Sequence, residues 1–172
     1  EWIFLGAVMI FRRRRRNTND LRLERWTVHI SDNTGHIAQV DTKTRDDDNN
    51  DPANPLNAEL IRYQYANHLG SAVLETDDDG TPISYEEYHP YGTTAYRSAK
   101  PGFDLSLKRY RFSGKERDDE TGLYYFGARY YAPWLGRWSN PDPIGIRAGV
   151  NLFRFVANNP IRFVDPNGME EK

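Results

Sequence analysis

The sequence predicts a mainly β fold: consecutive antiparallel β-hairpins followed by a compact C-terminal plug containing short helical turns. Three observations carry that prediction. From Leu21 onward, β-branched and aromatic residues stand in short alternating runs bounded by Asp, Asn and Gly clusters. Tyr and Gly punctuation returns imperfectly about every twenty residues, as in strand repeats that need neighbours to bury their faces. Of the 172 residues 13% are aromatic, including 11 Tyr and 4 Trp, which suit pleated surfaces where a ring packs and its polar end reaches water.

The chain opens with Glu1 rather than Met, which reads as a fragment or as a sequence that begins upstream of its true start. "WIFLGAVMIF" is too short to span a bilayer, and "RRRRR" (Arg12 to Arg16) follows it. A signal peptide has the opposite order, charge first and apolar run second. Like charges in a run repel and stay extended, so this segment, which lies within residues 1–20, is expected to be solvated, poorly ordered or derived from a junction. Contact with phosphate or anionic lipid is the alternative, and membrane association is open only to residues 1–16.

"LRLERWTVHISDNTGHIAQVDTKT" reads as strand, "DNTG" turn and strand. Residues 45–59 form a polar, Pro-interrupted loop with little to bury. In "IRYQYANHLGSAVLETDDDGTPISYEEYHPYG" Tyr63 and Tyr65 alternate, "SAVLETD" is a strand, "DDDG" turns, and "PISYEEY" returns. A third unit is expected to pair Tyr110 and Phe112 with Leu123 to Tyr131 across a turn ending at Gly122. Near the C-terminus, Leu152, Phe155 and Val156 fall on one face at helical spacing.

Composition narrows the function. A net charge of −2 gives no global reason to expect nucleic acid, and zero cysteines exclude disulfides, thiolate catalysis and Cys-based zinc sites. The four His are scattered, and the acidic runs Asp46 to Asp48 and Asp77 to Asp79 lack the spacing of a calcium loop, so no metal or cofactor is expected. "ERDDE" (Glu116 to Glu120) reads as a hydrophilic hairpin approach, and no phosphate-cradling Gly loop or Gly-x-Ser-x-Gly motif occurs. Trp134 and Trp138 could stack on sugar, but burial in a plug is the favoured reading.

Two copies of Asp-Pro-x-Gly remain, at Asp142 and Asp165. Each is a good turn: the aspartate accepts from backbone amides, proline presets φ, and glycine suits the fourth position. The intervening chain is long enough to run out and bring the second carboxylate back to the first. Two carboxyl groups sharing one proton make an acid–base pair, in which one activates water and the other protonates. Turn and pair are both open on the residues alone.

"YHPYGTTAY", "RYRFSGKERDDETGLYYFGARYYAPWLGRWSNPDPIG", "NLFRFVANNP" and "FVDPNG" resemble the Rhs repeat-associated core domain, and look most like the C components of bacterial insecticidal Tc toxin complexes. The resemblance implies YD-type repeat hairpins at 21–87, a core domain at 88–169 and a residual tail at 170–172, with residues 1–20 outside it. It implies a β shell of YD/Rhs repeats around a toxic C-terminal polypeptide, plugged by a core that frees the toxin as an aspartyl autoprotease. Asp142 and Asp165 match its two acidic motifs, and Arg129 in "FGARYY" matches an arginine placed beside them, although a guanidinium in a Tyr-rich sheet can also simply stack. The implied cut is Met169–Glu170, where Met169 replaces the family's usual leucine. Only Glu170 to Lys172 follow, so the toxin cargo is missing here. Upstream Rhs/YD repeats or a Tc B-type shell subunit are the implied partners, and a secreted or cell-surface toxin complex the implied location. The competing reading is a non-catalytic YD-repeat structural or glycan-binding module.

Overall fold

A computed structural model describes residues 1–33, 35–48, 54–101, 103 and 108–170. Eight strands follow one another in a single sheet whose order is that of the chain: β1 (Trp2–Leu5), β2 (Val8–Arg14), β3 (Leu21–Ser31), β4 (His36–Asp46), β5 (Glu59–Ala66), β6 (Ala72–Thr76), β7 (Pro82–Tyr88) and β8 (Thr94–Ala99). A second sheet has the order β12–β11–β10–β9, from β9 (Glu116–Arg117), β10 (Tyr124–Tyr125), β11 (Tyr130–Ala132) and β12 (Arg137–Trp138). The described helices are short 3₁₀ turns, and none is long and apolar enough to cross a membrane. Of the expected polar loop at 45–59, residues 49–53 lie outside the described residues, as do residues 171–172 of the tail.

The chain divides into two compact units, one from Glu1–Tyr65, Leu74–Tyr85 and Ser98–Leu105, the other from Ala66–Val73, Glu86–Arg97 and Ser106–Lys172. In the first, strand alternation sorts side chains in an unusual sense. Thr27, Gln39, Asp41, Arg62, Glu75 and Ser84 are buried, whereas Trp26, Val28, Ile30, Tyr63, Tyr65 and Tyr85 are exposed. Several of these buried polar groups bond to one another: Thr27 Oγ1 donates to Asp41 at 2.5 Å, Gln39 Nε2 to Asp41 at 2.8 Å, and Arg62 Nη2 to Glu75 at 2.7 Å, while Arg62 Nη1 approaches Asp41 only to 4.0 Å.

Residues 1–20 correct the expectation of a poorly ordered segment. β1 and β2 form a hairpin, β2 pairs with β3 from Val8↔Val28 onward, and Met9 and Ile10 are buried. The arginines are tolerated because acids face them: Arg12 bonds Glu24 at 2.7 Å, Arg13 bonds Asp48 at 2.7 Å, and Arg14 lies 3.8 Å from Glu1. Glu24 on β3, Asp48 just after β4 and Glu1 just before β1 thus offset the repulsion among Arg12, Arg13 and Arg14.

The second unit is built on rings. Phe112, Tyr124, Phe126, Tyr131, Trp138, Phe155 and Val156 form one buried cluster. Tyr131 stacks on Phe155 at 4.0 Å, and Phe126 meets Trp138 edge-on at 5.1 Å. Burial pushes the Tyr124 hydroxyl up to about 12. Beside this cluster Glu86 gathers two buried cations: Arg111 makes a bidentate pair with it, and Lys108 Nζ lies 3.4 Å away.

Three details differ from the sequence reading. The partner of β10 is Glu116–Arg117 rather than Tyr110–Phe112, because Phe112 enters a 3₁₀ turn and turns into the ring cluster. Trp138 is buried, but Trp134 is 56% exposed, so only one of the two indoles plugs the core. The short turn at Val156–Asn158 is formed at positive φ values of 37°, 51° and 59°, so Phe155 and Val156 are buried through a tight left-handed turn and not through a right-handed helical face.

Candidate functional site

Arg129 lies between β10 and β11, where Phe126 N–H bonds to the Arg129 carbonyl at 3.0 Å and closes the turn. Its guanidinium carbon sits 4.1 Å over the Trp138 ring, a contact that holds the group in place, and its plane carries three donor nitrogens outward. From that plane Nη1 stands 2.9 Å from Asp142 Oδ2, Nη2 stands 3.5 Å from Asp165 Oδ2, and Nε donates to the Gly168 carbonyl at 2.6 Å. The contact of Nη1 is an ion pair and not an aligned hydrogen bond. One buried arginine therefore holds both Asp-Pro-x-Gly copies, and it stacks as well.

Both copies are also turns. Asp142 Oδ1 accepts from Ile144 N at 3.0 Å, its carbonyl accepts from Gly145 N at 3.0 Å, and its own amide donates to Leu152 O at 2.9 Å. Asp165 is more deeply engaged. Its Oδ1 accepts from the amides of Asn167 (3.2 Å), Gly168 (2.7 Å), Met169 (3.2 Å) and Glu170 (3.4 Å). The loop that leads to Met169–Glu170 is thus wrapped around the Asp165 carboxyl. Turn chemistry and convergence of the two acids are compatible, since each carboxyl has a second oxygen for Arg129.

The second turn is also gripped from outside. Ala128 N donates to Asn167 O at 3.0 Å, and Lys115 Nζ donates to Pro166 O at 2.6 Å. Gly127 and Gly168 let these backbones approach: a Cβ on Gly127 would meet Asn167 O at 3.1 Å, and one on Gly168 would meet Arg129 N at 3.0 Å. Burial raises the Asp165 carboxyl above its ordinary value, against the opposing pull of its amide donors and of Arg129. Burial lowers the Lys115 ammonium, with Asp165 opposing that shift.

Sequence reasoning named Asp142, Asp165 and Arg129, and these three make the contacts described. It missed Lys115 and the stacking role of Trp138. Lys115 stands 51 residues before its partner carbonyl and belongs to no motif, so no local signal marks it. Among the described residues no group of three or more His, Asp or Glu gathers to hold a metal.

Sequential antiparallel hairpins in one sheet, followed by a ring-packed C-terminal unit with two arginine-linked aspartate turns, define a YD-repeat shell core of the Rhs and Tc-toxin type. The chain belongs to the Teneurin YD-shell family, which it matches over residues 30–161. It is 54% identical over 109 residues to toxin subunit YenC2 of Yersinia entomophaga, covering 63% of this chain and 11% of that protein. Toxin subunit YenC1 of the same organism is 54% identical over 118 residues, covering 69% of this chain and 12% of that protein. The crystal structure of TcdB2-TccC3 without its hypervariable C-terminal region superposes with a TM-score of 0.85 at 37% identity, over 98% of this chain and 8% of that one. The chain therefore spans about a tenth of these relatives.

Proposed function

We propose that this chain is the self-cleaving core of a Tc-type toxin shell, cutting its own Met169–Glu170 bond to release whatever polypeptide follows. The observation that carries the reading is the contact of Asp165 with the amide of Glu170, the nitrogen that would leave, while Asp165 and Asp142 share one guanidinium. The raised Asp165 carboxyl supports its role as the acid, and Asp142 beside Arg129 supplies the base. Asp142 takes a proton from water as the hydroxyl oxygen attacks the Met169 carbonyl carbon. Asp165 then delivers its proton to the Glu170 nitrogen as the carbon–nitrogen bond breaks, leaving a Glu170 amine and a Met169 carboxylic acid, whose proton passes to the Asp165 carboxylate.

Encapsulation is the larger task in this reading. The edge strand β1 exposes Phe4 and Leu5, which supports upstream YD repeats or a B-type shell subunit as the neighbour. The cargo is a C-terminal toxin, and the assembly is a secreted toxin complex.

The test is intact mass. The chain is expressed with upstream repeats and a folded reporter after Lys172, beside Asp142→Asn and Asp165→Asn versions. Release between Met169 and Glu170 in the parent alone is the expected result. A folded, soluble parent that stays whole would return both motifs to turns and leave a non-catalytic YD-repeat module.

A further inference from the structure

We propose that Lys115 is a positioning residue of the cleavage site, holding through Pro166 the loop that carries Met169–Glu170. The inference rests on the autoprotease reading above. Three successive carbonyls of that loop are held from outside: Pro166 O by Lys115 Nζ at 2.6 Å, Asn167 O by Ala128 N at 3.0 Å, and Gly168 O by Arg129 Nε at 2.6 Å. The amides that follow converge on Asp165 Oδ1. Lys115 is the first of the three clamps, and Ala128 supplies only its backbone. The side chains that hold these carbonyls from outside the loop are therefore Lys115 and Arg129, while Asp165 gathers its amides from within.

Its own placement is over-determined. The 3₁₀ turn Phe112–Gly114 delivers it, with Lys115 N bonded to Phe112 O at 3.0 Å and Lys115 O accepting from Arg111 N at 3.0 Å. The ammonium lies 5.5 Å over the ring of Phe126, two residues before the Ala128 amide that grips the same loop. A lysine kept half-buried on a backbone carbonyl loses rotamer freedom and hydration, a cost that ordinary surface lysines avoid.

Lys115 also acts on Asp165 through the peptide it holds. Pro166 O and Asn167 N belong to one amide, so a cation on the oxygen polarises the N–H that Asp165 Oδ1 accepts. The positive charge favours the ionised form of Asp165 against burial. Removing it displaces the scissile peptide and leaves Asp165 neutral to higher pH.

The experiment follows reporter release against time and pH for the chain with upstream repeats, in the parent, Lys115→Met and Lys115→Arg. The expected result is release slowed by roughly tenfold to a hundredfold in Lys115→Met, with the alkaline limb of its pH profile moved upward and most of the rate kept by Lys115→Arg. A parent that cuts, beside a Lys115→Met variant with the parental rate and profile, overturns the role of Lys115 alone. So does equal slowing of both variants at every pH, which marks a packing effect. A folded parent that never cuts overturns the autoprotease reading itself, and this inference with it.

Discussion

Gly168→Ala tests the geometry without touching an ionisable group. Gly168 has φ +77°, and a methyl there would stand 3.0 Å from Arg129 N and 3.3 Å from both Ala128 N and the Phe126 Cβ. Two of those neighbours are backbone atoms whose positions the β10–β11 turn fixes, so the Asp165 loop must retreat by a few tenths of an ångström. Gly145 occupies the same fourth place in the first turn at φ +68°, yet nothing lies within 4 Å of its added methyl. Both substitutions carry the left-handed penalty of about 1–2 kcal/mol. Only Gly168→Ala adds a crowding cost, about 1–3 kcal/mol for a methyl forced into a packed site. Expressed in the barrier to cutting, that difference is a rate ratio of roughly five to more than a hundred. The assay is a time course of reporter release by intact mass for the two variants and the parent. Equal rates for Gly168→Ala and Gly145→Ala, or the slower rate in Gly145→Ala, would refute the argument that close backbone packing sets the scissile loop.

Two further predictions concern charge. Glu86→Gln removes the buried carboxylate that pairs with Arg111 and lies 3.4 Å from Lys108 Nζ, and is expected to destabilise by about 3–5 kcal/mol near neutral pH. Burial pushes Glu86 up, but Arg111 and Lys108 prevail and hold it below its ordinary value. Its stabilisation is therefore complete above the usual glutamate range and fades as pH falls through the lowered value, so urea unfolding of parent and variant should converge in acid. Asp165 has the opposite sign: with a raised carboxyl, its contribution is complete below the usual aspartate range and lost as pH rises through the folded value. Asp165→Asn, whose amide oxygen can still accept from the loop amides, is expected to abolish release while keeping the unfolding midpoint at pH 7 at or above that of the uncut Asp142→Asn chain. A fall of more than about 1 kcal/mol, the scale of a net hydrogen bond, would contradict that assignment.

The β-hairpins were legible because their signals are local. Alternation at period two and Asp, Asn and Gly turn chemistry act over a few residues, and they mark β3, β4, β6 and β7 without reference to the rest of the chain. The same holds for Asp142 and Asp165, whose turns depend on the three residues that follow each. What local reading misjudged was cancelled or redirected from a distance. The arginine run looked self-repelling until Glu24 and Asp48 came opposite it. Phe112 looked like a strand residue until the ring cluster drew it into a turn. Trp134 and Trp138 stand four residues apart, yet one is exposed and the other buried beneath Arg129.

By itself, then, the sequence determined the class of fold and the two acidic turns, while the arginine named with them came from the family resemblance. Only tertiary structure decided that one guanidinium spans both turns, that Lys115 grips Pro166, and that Gly168 is crowded where Gly145 is open. Turns and strands are fixed by torsional and hydrogen-bonding preferences between near neighbours. Those other relations depend on where backbones separated by tens of residues come to rest, which is set by how the rings of the core pack.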